Sequence, residues 1–117
     1  MINIYVAGKL KKRKLKQIYN INYLCPYEHA NNLSIYDSNI YVTIDLVMIN
    51  KCDLILLVLE TGKELNSLFE LGYCYALNKP IITLDLLKDS SLYTFTKHLS
   101  TSIVKTYKEL YEILERL

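Results

Sequence analysis

The sequence predicts an α/β fold, a small flavodoxin-like or Rossmann-like three-layer sandwich around a mostly parallel sheet of about five strands. Two observations carry this. "DLILLVLE" (53–60) and "PIITLDL" (80–86) are continuous apolar runs, the pattern of strands buried on both faces of a parallel sheet. The segments around them have helical spacing, and strands alternating with helices argue parallel strands joined by crossovers. At 117 residues the chain has the length of one domain, 1–117, with enough surface to bury a core.

Element by element, "INIYVAG" (2–8) is a β-branched and aromatic run closed by Gly8, a buried strand ending in a tight turn. The basic stretch after it, through Ile18 and Tyr19, has helix formers and little apolar periodicity, which predicts a short solvated helix. "INYLCPY" (21–27) is a second strand ended by Pro26, and "EHANNLS" (28–34) has loop composition. From Ser38 to Lys51, Ile40, Ile44 and Val47 stand at helical spacing, with Asp37 or Ser38 available as N-cap. The β-branched residues there also suit a strand. "LNSLFELGYCYALN" (65–78) reads as a helix of about four turns, stopped before Pro80. "SIVKTY" (102–107) is a last short strand. Thr106 and Glu109 then form a capping box ahead of Leu110, Ile113, Leu114 and Leu117, an amphipathic terminal helix.

The net charge of +2 conceals an asymmetry. Six of the fourteen basic residues, Lys9, Lys11, Lys12, Arg13, Lys14 and Lys16, lie in "KLKKRKLK", which leaves eight basic against twelve acidic residues elsewhere. Cys25, Cys52 and Cys74 are odd in number and lack CxxC spacing, and no apolar run approaches the roughly 20 residues of a membrane helix. A cytoplasmic chain with free thiols is the expectation, with no signal segment and no membrane contact. His29 and His98 lack metal-ligand spacing, and no phosphate-binding glycine loop appears, so neither a metal nor an organic cofactor is expected.

In a parallel sheet, ligands bind beyond the carboxyl ends of the strands. Gly8, Glu28, Glu60 to Gly62 and Asp85 all fall at that edge. Glu70 is the unusual carboxylate, set in the apolar block "NSLFELGYCYALNKPIITL" (66–84). At 100° per residue it shares a polar helix face with Asn66, Ser67, Tyr73 and Cys74, near the helix N-terminus where the dipole favours its ionised form. Two readings fit. Ser67 and Glu70 match S-x-x-E, a capping box in which Glu70 satisfies a backbone N–H; alternatively Glu70 is a charge held for chemistry.

"IYVAG" at the start, "DLVMINKCDLILLVLE" in the middle and "LFELGYCYALNKPIITL" afterwards resemble the nucleoside 2-deoxyribosyltransferase family, which includes related nucleotide N-glycosidases. The last block is the most specific, and the blocks together span most of residues 2 to 84. The resemblance implies cleavage or transfer at the N-glycosidic bond of a (deoxy)nucleoside or its 5′-monophosphate. It maps the nucleophile onto Glu70, an acid/base aspartate onto Asp45 and a tyrosine orienting the nucleophile onto Tyr5. It also implies a homodimer or larger homo-oligomer, because the family's sites are often completed by a neighbouring subunit. An ionised Glu70 then requires a protonated partner, Asp45 or Glu64, with a raised pKa.

The chain departs from the family at Glu64, where an Asp is usual, at Asn66 and Ser67 in place of a Gly-Thr or Gly-Ser pair, and after Gly8, where "KLKKRK" replaces Pro and an aromatic residue. Gly8, Lys9, Lys11, Glu64, Asn66 and Ser67 are the implied substrate-binding positions. Lys9, Lys11 or Arg13 suits a 5′-phosphate; the same stretch also reads as a solvated charge cluster, and its lack of interleaved aromatics argues against nucleic acid. A nucleotide hydrolase and a non-catalytic nucleotide-sensing module are the alternatives to a transferase.

Overall fold

The structure is a computed structural model that describes residues 1–8, 15–26, 38–62, 64–87 and 94–117. Five strands form one sheet: β1 (Ile2–Ala7), β2 (Ile21–Leu24), β3 (Leu54–Leu59), β4 (Ile81–Asp85) and β5 (Ser102–Val104). Their order is β2-β1-β3-β4-β5, and each neighbouring pair is parallel. Four helices accompany them among the described residues: α1 (Ser38–Lys51), α2 (Leu65–Ala76), α3 (Thr94–Leu99) and α4 (Tyr107–Leu114). This is the α/β architecture the apolar runs predict.

Every residue of β3 is buried, so its alternating side chains feed two cores. Leu54, Leu56 and Val58 join Ile4 and Val6 of β1 and Leu84 of β4 beneath Leu110 and Leu114 of α4. Ile55, Leu57 and Leu59 join Tyr5 and Ala7 beneath Ile49 of α1 and Leu71 and Cys74 of α2. Each fully buried aliphatic side chain contributes about 1.5–3 kcal/mol of transfer free energy. The outer elements are held by polar pins. Thr106 caps α4 by accepting from the Glu109 N–H at 3.1 Å, and the Lys79 ammonium donates to the Asn50 and Cys52 carbonyls at 3.1 and 2.6 Å. That places a cation on the C-terminal end of α1, where the helix dipole favours it.

β1, β3 and β4 end together, so Gly8, Glu60 to Gly62 and Asp85 do lie along the carboxyl edge of the sheet; Glu28 lies outside the described residues. Gly8 is obligatory there. Its φ is +117°, and a Cβ would run into the Val58 carbonyl oxygen of the neighbouring strand.

Three expectations need correction. Residues 15–18 are not helical, and Leu15 is instead a buried contributor to the α4-side core; residues 9–14 lie outside the description. α3 has no counterpart in the sequence reading, being six residues long with no periodicity to detect. The stripe of Ile40, Ile44 and Val47 is real but points outward, while Asp45, Met48 and Ile49 turn toward the sheet. α1 carries aliphatic residues on all sides, so its spacing identifies a helix without saying which face is inside.

Candidate active site

Three separate elements bring together Tyr5 of β1, Asp45 of α1 and Glu70 of α2. Strand alternation sends Tyr5 to the α1/α2 side of the sheet, where its ring is fully buried. On α2 the buried line runs through Ser67, Leu71 and Cys74, so the polar face of this helix is the one turned inward, carrying Glu70 with it. Phe69, Gly72 and Tyr75 face solvent instead.

Tyr5 Oη and Glu70 Oε2 are both buried without a hydrogen-bond partner among the described residues. Buried polar atoms are ordinarily satisfied, and an unsatisfied one costs about 1–3 kcal/mol. Two such atoms on neighbouring side chains leave an unmet polar demand inside this core. The phenol and the carboxylate interact without reaching hydrogen-bonding geometry.

Burial pushes the Glu70 carboxyl up to about 7; the Tyr5 hydroxyl opposes this and the Asp45 charge adds to it. Burial likewise raises Asp45 to about 6. The Tyr5 phenol is pushed well above its ordinary range by burial and then by the charge of Glu70. Cys74, one turn beyond Glu70, rises to about 12 through burial, Cys52 and Glu70, which makes it a neutral wall of the site. Two carboxyls with pKa values raised toward neutrality, both within electrostatic reach of one phenol, can hold and move a proton at physiological pH.

The capping-box reading of Glu70 does not hold. α2 begins at Leu65 with Glu64 at the N-cap position and no side-chain cap bond, so Ser67 is already inside the helix. Glu70 consequently sits in the second turn, beyond the reach of the dipole effect expected for it. Burial, not the dipole, governs its charge.

Glu64 is also reassigned. Its Oε1 accepts from the Glu60 N–H at 3.0 Å, the Thr61 N–H at 2.7 Å and the Thr61 hydroxyl at 2.8 Å. Burial pushes its pKa up, but these donors outweigh burial and hold it below the ordinary carboxylate range. Glu64 is therefore an ionised organiser of the turn at Thr61 and Gly62, the latter with φ of +79°, and not a proton donor. Of the two acids the sequence offers, only Asp45 has the raised pKa.

The remaining predicted positions divide. Gly8 lies at the carboxyl edge, Ser67 is buried on the Glu70 face, and Asn66 is exposed one turn before Glu70. Lys9, Lys11 and Arg13 lie outside the described residues. Tyr23 packs on the opposite side of the sheet and donates to the Lys16 carbonyl at 3.0 Å. Two further side-chain pairings stand at the edge, Asp85 with Lys105 and Glu60 with Tyr107. Asp85, buried at the end of β4, takes the Lys105 ammonium at 2.6 Å and the Leu87 N–H at 3.1 Å. The Tyr107 hydroxyl reaches Glu60 at 3.4 Å. Both bonds join segments distant in sequence, which local spacing does not reveal. Among the described residues no group of three or more His, Cys, Asp and Glu has a metal-holding arrangement, and no helix is long and apolar enough to cross a membrane.

No protein-family model and no curated protein sequence matches the chain. Among solved structures, the chain is similar to one described as a 2-deoxyribosyltransferase from the psychrotolerant bacterium Bacillus psychrosaccharolyticus, with a TM-score of 0.73 and 15% identity over 92% of this chain and 89% of that one. At that identity the likeness is one of fold, and the fold is that of a nucleoside deoxyribosyltransferase-like α/β sandwich.

Proposed function

We propose that the chain cleaves or transfers at the N-glycosidic bond of a (deoxy)nucleoside or nucleoside 5′-monophosphate, with Glu70 as nucleophile, Asp45 as acid/base and Tyr5 orienting Glu70. The observation that carries this reading is the convergence of two carboxyls with raised pKa and one phenol, from three elements, in a buried cluster. The fold shared with a solved 2-deoxyribosyltransferase supports it. The reading takes the chain as one cytoplasmic domain acting as a homodimer or larger homo-oligomer; the free thiols of Cys52 and Cys74 accord with a reducing compartment.

The electron flow is simple. A Glu70 carboxylate oxygen forms a bond to the anomeric carbon while the C–N bond breaks, its electron pair leaving on the base nitrogen as Asp45 delivers a proton to the base. Charge develops on the sugar as an oxocarbenium, which the Glu70 carboxylate stabilises and then captures. In the second half, water or a second base attacks the same carbon, Asp45 takes the proton back and Glu70 leaves as carboxylate.

The free protein favours the wrong carboxyl of this pair for the one proton they share. With Glu70 near 7 and Asp45 near 6, the proton rests preferentially on Glu70, whereas the reaction needs it on Asp45. Shifting it costs about 1.4 kcal/mol per unit of difference. A base lying against Asp45 excludes water and raises that carboxyl further, and the unpartnered Tyr5 hydroxyl stabilises a charged Glu70 once it donates to it.

Lys9 and Lys11 follow Gly8 within three residues of the chain, which favours substrates bearing a 5′-phosphate and keeps a nucleotide hydrolase as the second reading. The test is chromatographic detection of base release from a panel of nucleosides and 5′-monophosphates, with and without a second free base. Release that disappears in Glu70→Ala is the expected result, and exchange dependent on the added base identifies a transferase. Ligand binding without release, unchanged by Glu70→Gln, would overturn the reading in favour of a sensing module.

A further inference from the structure

Asn50, next to last in α1, is exposed, yet three hydrogen bonds meet on it. Its side-chain amide donates back to the Leu46 carbonyl at 2.8 Å and across to the Tyr73 hydroxyl of α2 at 2.9 Å, and its own carbonyl accepts the Lys79 ammonium at 3.1 Å. Lys79 lies just past α2, where its N–H donates to the Cys74 carbonyl at 3.0 Å and its ammonium also reaches the Cys52 carbonyl at 2.6 Å. Asn50 is thus a joint between the two helices that carry Asp45 and Glu70.

Stability gives little reason for an asparagine here. Asn is a poor helix former, and a hydrogen bond that water can replace nets only about 1 kcal/mol. What the joint fixes is a distance. Leu46 follows Asp45 directly in the chain, and Tyr73 and Cys74 lie one turn beyond Glu70 on the same helix face. The bonds leaving Asn50 therefore end beside the acid on one helix and one turn from the nucleophile on the other. The Asp45 charge acts on Glu70 across the gap that these bonds span, and that interaction weakens as the two carboxyls separate or admit water between them.

We propose that Asn50 is a positioning residue for the reaction: by joining Leu46 to Tyr73 and Lys79, it holds Asp45 of α1 at a set separation from Glu70 of α2. Its kinetic consequence rests on the glycosidic reading, while its effect on the two carboxyls does not. The ionisable groups around the pair come from each element packed there: Tyr5 from β1, Asp45 from α1, Cys74 from α2 beside Glu70, and Lys79 after α2, whose charge reaches Cys74. Tyr5 and Cys74 are buried on the sheet side and keep their places when the joint is cut. Releasing α1 then lets water in beside Asp45 and weakens its charge on Glu70, and both changes return the carboxyls toward their ordinary range.

The test is a carboxyl-carbon NMR titration of the free chain, alongside kcat and KM for base release, on wild type, Asn50→Ala, Tyr73→Phe and the double variant. The Asp45 and Glu70 midpoints are expected to fall by about half a pH unit or more in Asn50→Ala and in the same direction in Tyr73→Phe. The double variant is expected to move no further than Asn50→Ala, since both substitutions cut one bond. Asp45 is then less protonated at pH 7, so kcat should fall about 10-fold while KM changes less than twofold. Tyr73→Phe removes a single oxygen and keeps the ring, so it carries the test should Asn50→Ala fail to fold. Midpoints that stay at wild-type values in the folded variants overturn the proposal, as does a kcat unchanged when the midpoints move. Shifted midpoints with no base release from any sample, wild type included, support the joint and count against the glycosidic reading alone.

Discussion

The two faces of the sheet are built from the same strands and differ in kind. On the α4 side, Ile4, Val6, Leu56, Val58, Leu84 and Val104 meet Leu110 and Leu114, and every member of that buried cluster is aliphatic. On the α1/α2 side, the same strands offer Tyr5 beneath helices carrying Asp45, Glu70 and Cys74, with Cys52 just beyond the end of α1. Among the described residues, the buried side-chain atoms without partners are Tyr5 Oη, Glu70 Oε2 and Thr96 Oγ1. The first two lie on this second side, and Thr96 belongs to α3, which packs against α2. Both faces bury apolar side chains, but the unmet polar demand falls on the α1/α2 side.

The sharpest way to break this contrast is at Glu70. Glu70→Gln keeps the shape of the side chain and removes its ionisation. Base release is expected to fall about 1000-fold or more through loss of the nucleophile, while the melting temperature stays level or rises, because a buried ionisable group has been removed. Substantial turnover in this variant would return the site to a structural role.

Leu110→Ala is the converse probe. Leu110 is fully buried at the centre of the α4-side core, and its truncation is expected to cost about 2–5 kcal/mol in urea unfolding. Base release per folded chain should remain at the wild-type level. A variant that loses turnover in the folded state would mean that the two faces are mechanically coupled.

A smaller effect links the polar face to pH. Glu70 and Asp45, raised to about 7 and about 6, keep their protons in the folded chain at pH values where the unfolded chain has released them. The folded state then binds more protons, so stability falls as pH rises. The pair's contribution is complete below the ordinary carboxylate range, near pH 4, and is lost as pH climbs through 7. Glu64, held low by its donors, has the opposite sign and loses its contribution on acidification. In urea unfolding at pH 5 and pH 8, the wild type should lose about 1–3 kcal/mol more than Glu70→Gln across that interval.

The sequence discloses the two faces unequally, for physical reasons. Strands buried on both sides leave unbroken apolar runs, which is why β3 and β4 are legible at sight, and the T-x-x-E signal locates the start of α4 because its side chains bond within one turn. The polar face depends on direction. Spacing puts Glu70 with Ser67 and Cys74 but gives no sign for inside and outside, and the helix in fact buries Ser67 and Cys74 together with Leu71. α1 is apolar all round, so its stripe carries no orientation either. Glu64 reads as a candidate acid until the turn at Thr61 and Gly62 supplies its three donors, two backbone N–H groups and the Thr61 hydroxyl, which only the folded turn brings together. Asp45, Tyr5 and Glu70 come together through the family resemblance and the fold, since they are tens of residues apart in the chain.

Tyr5→Phe isolates the smallest and most diagnostic difference between the faces. The substitution removes one oxygen, which has no partner in the folded chain, and leaves the ring in its fully buried place. If that hydroxyl served stability, its loss would be destabilising; unsatisfied as it is, its removal should leave urea unfolding unchanged or raise stability by about 1 kcal/mol. Catalysis should move the other way. The hydroxyl is the group that opposes the rise in the Glu70 pKa, so without it Glu70 titrates higher and is less ionised at neutral pH. Base release at pH 7 is expected to fall roughly tenfold, and the pH profile to shift so that activity requires more alkaline conditions for the same charge on Glu70. A uniform loss with no shift in the profile would assign Tyr5 to substrate packing. The shift, with stability kept, identifies Tyr5 as the residue through which the inside of the sheet sets the charge of Glu70.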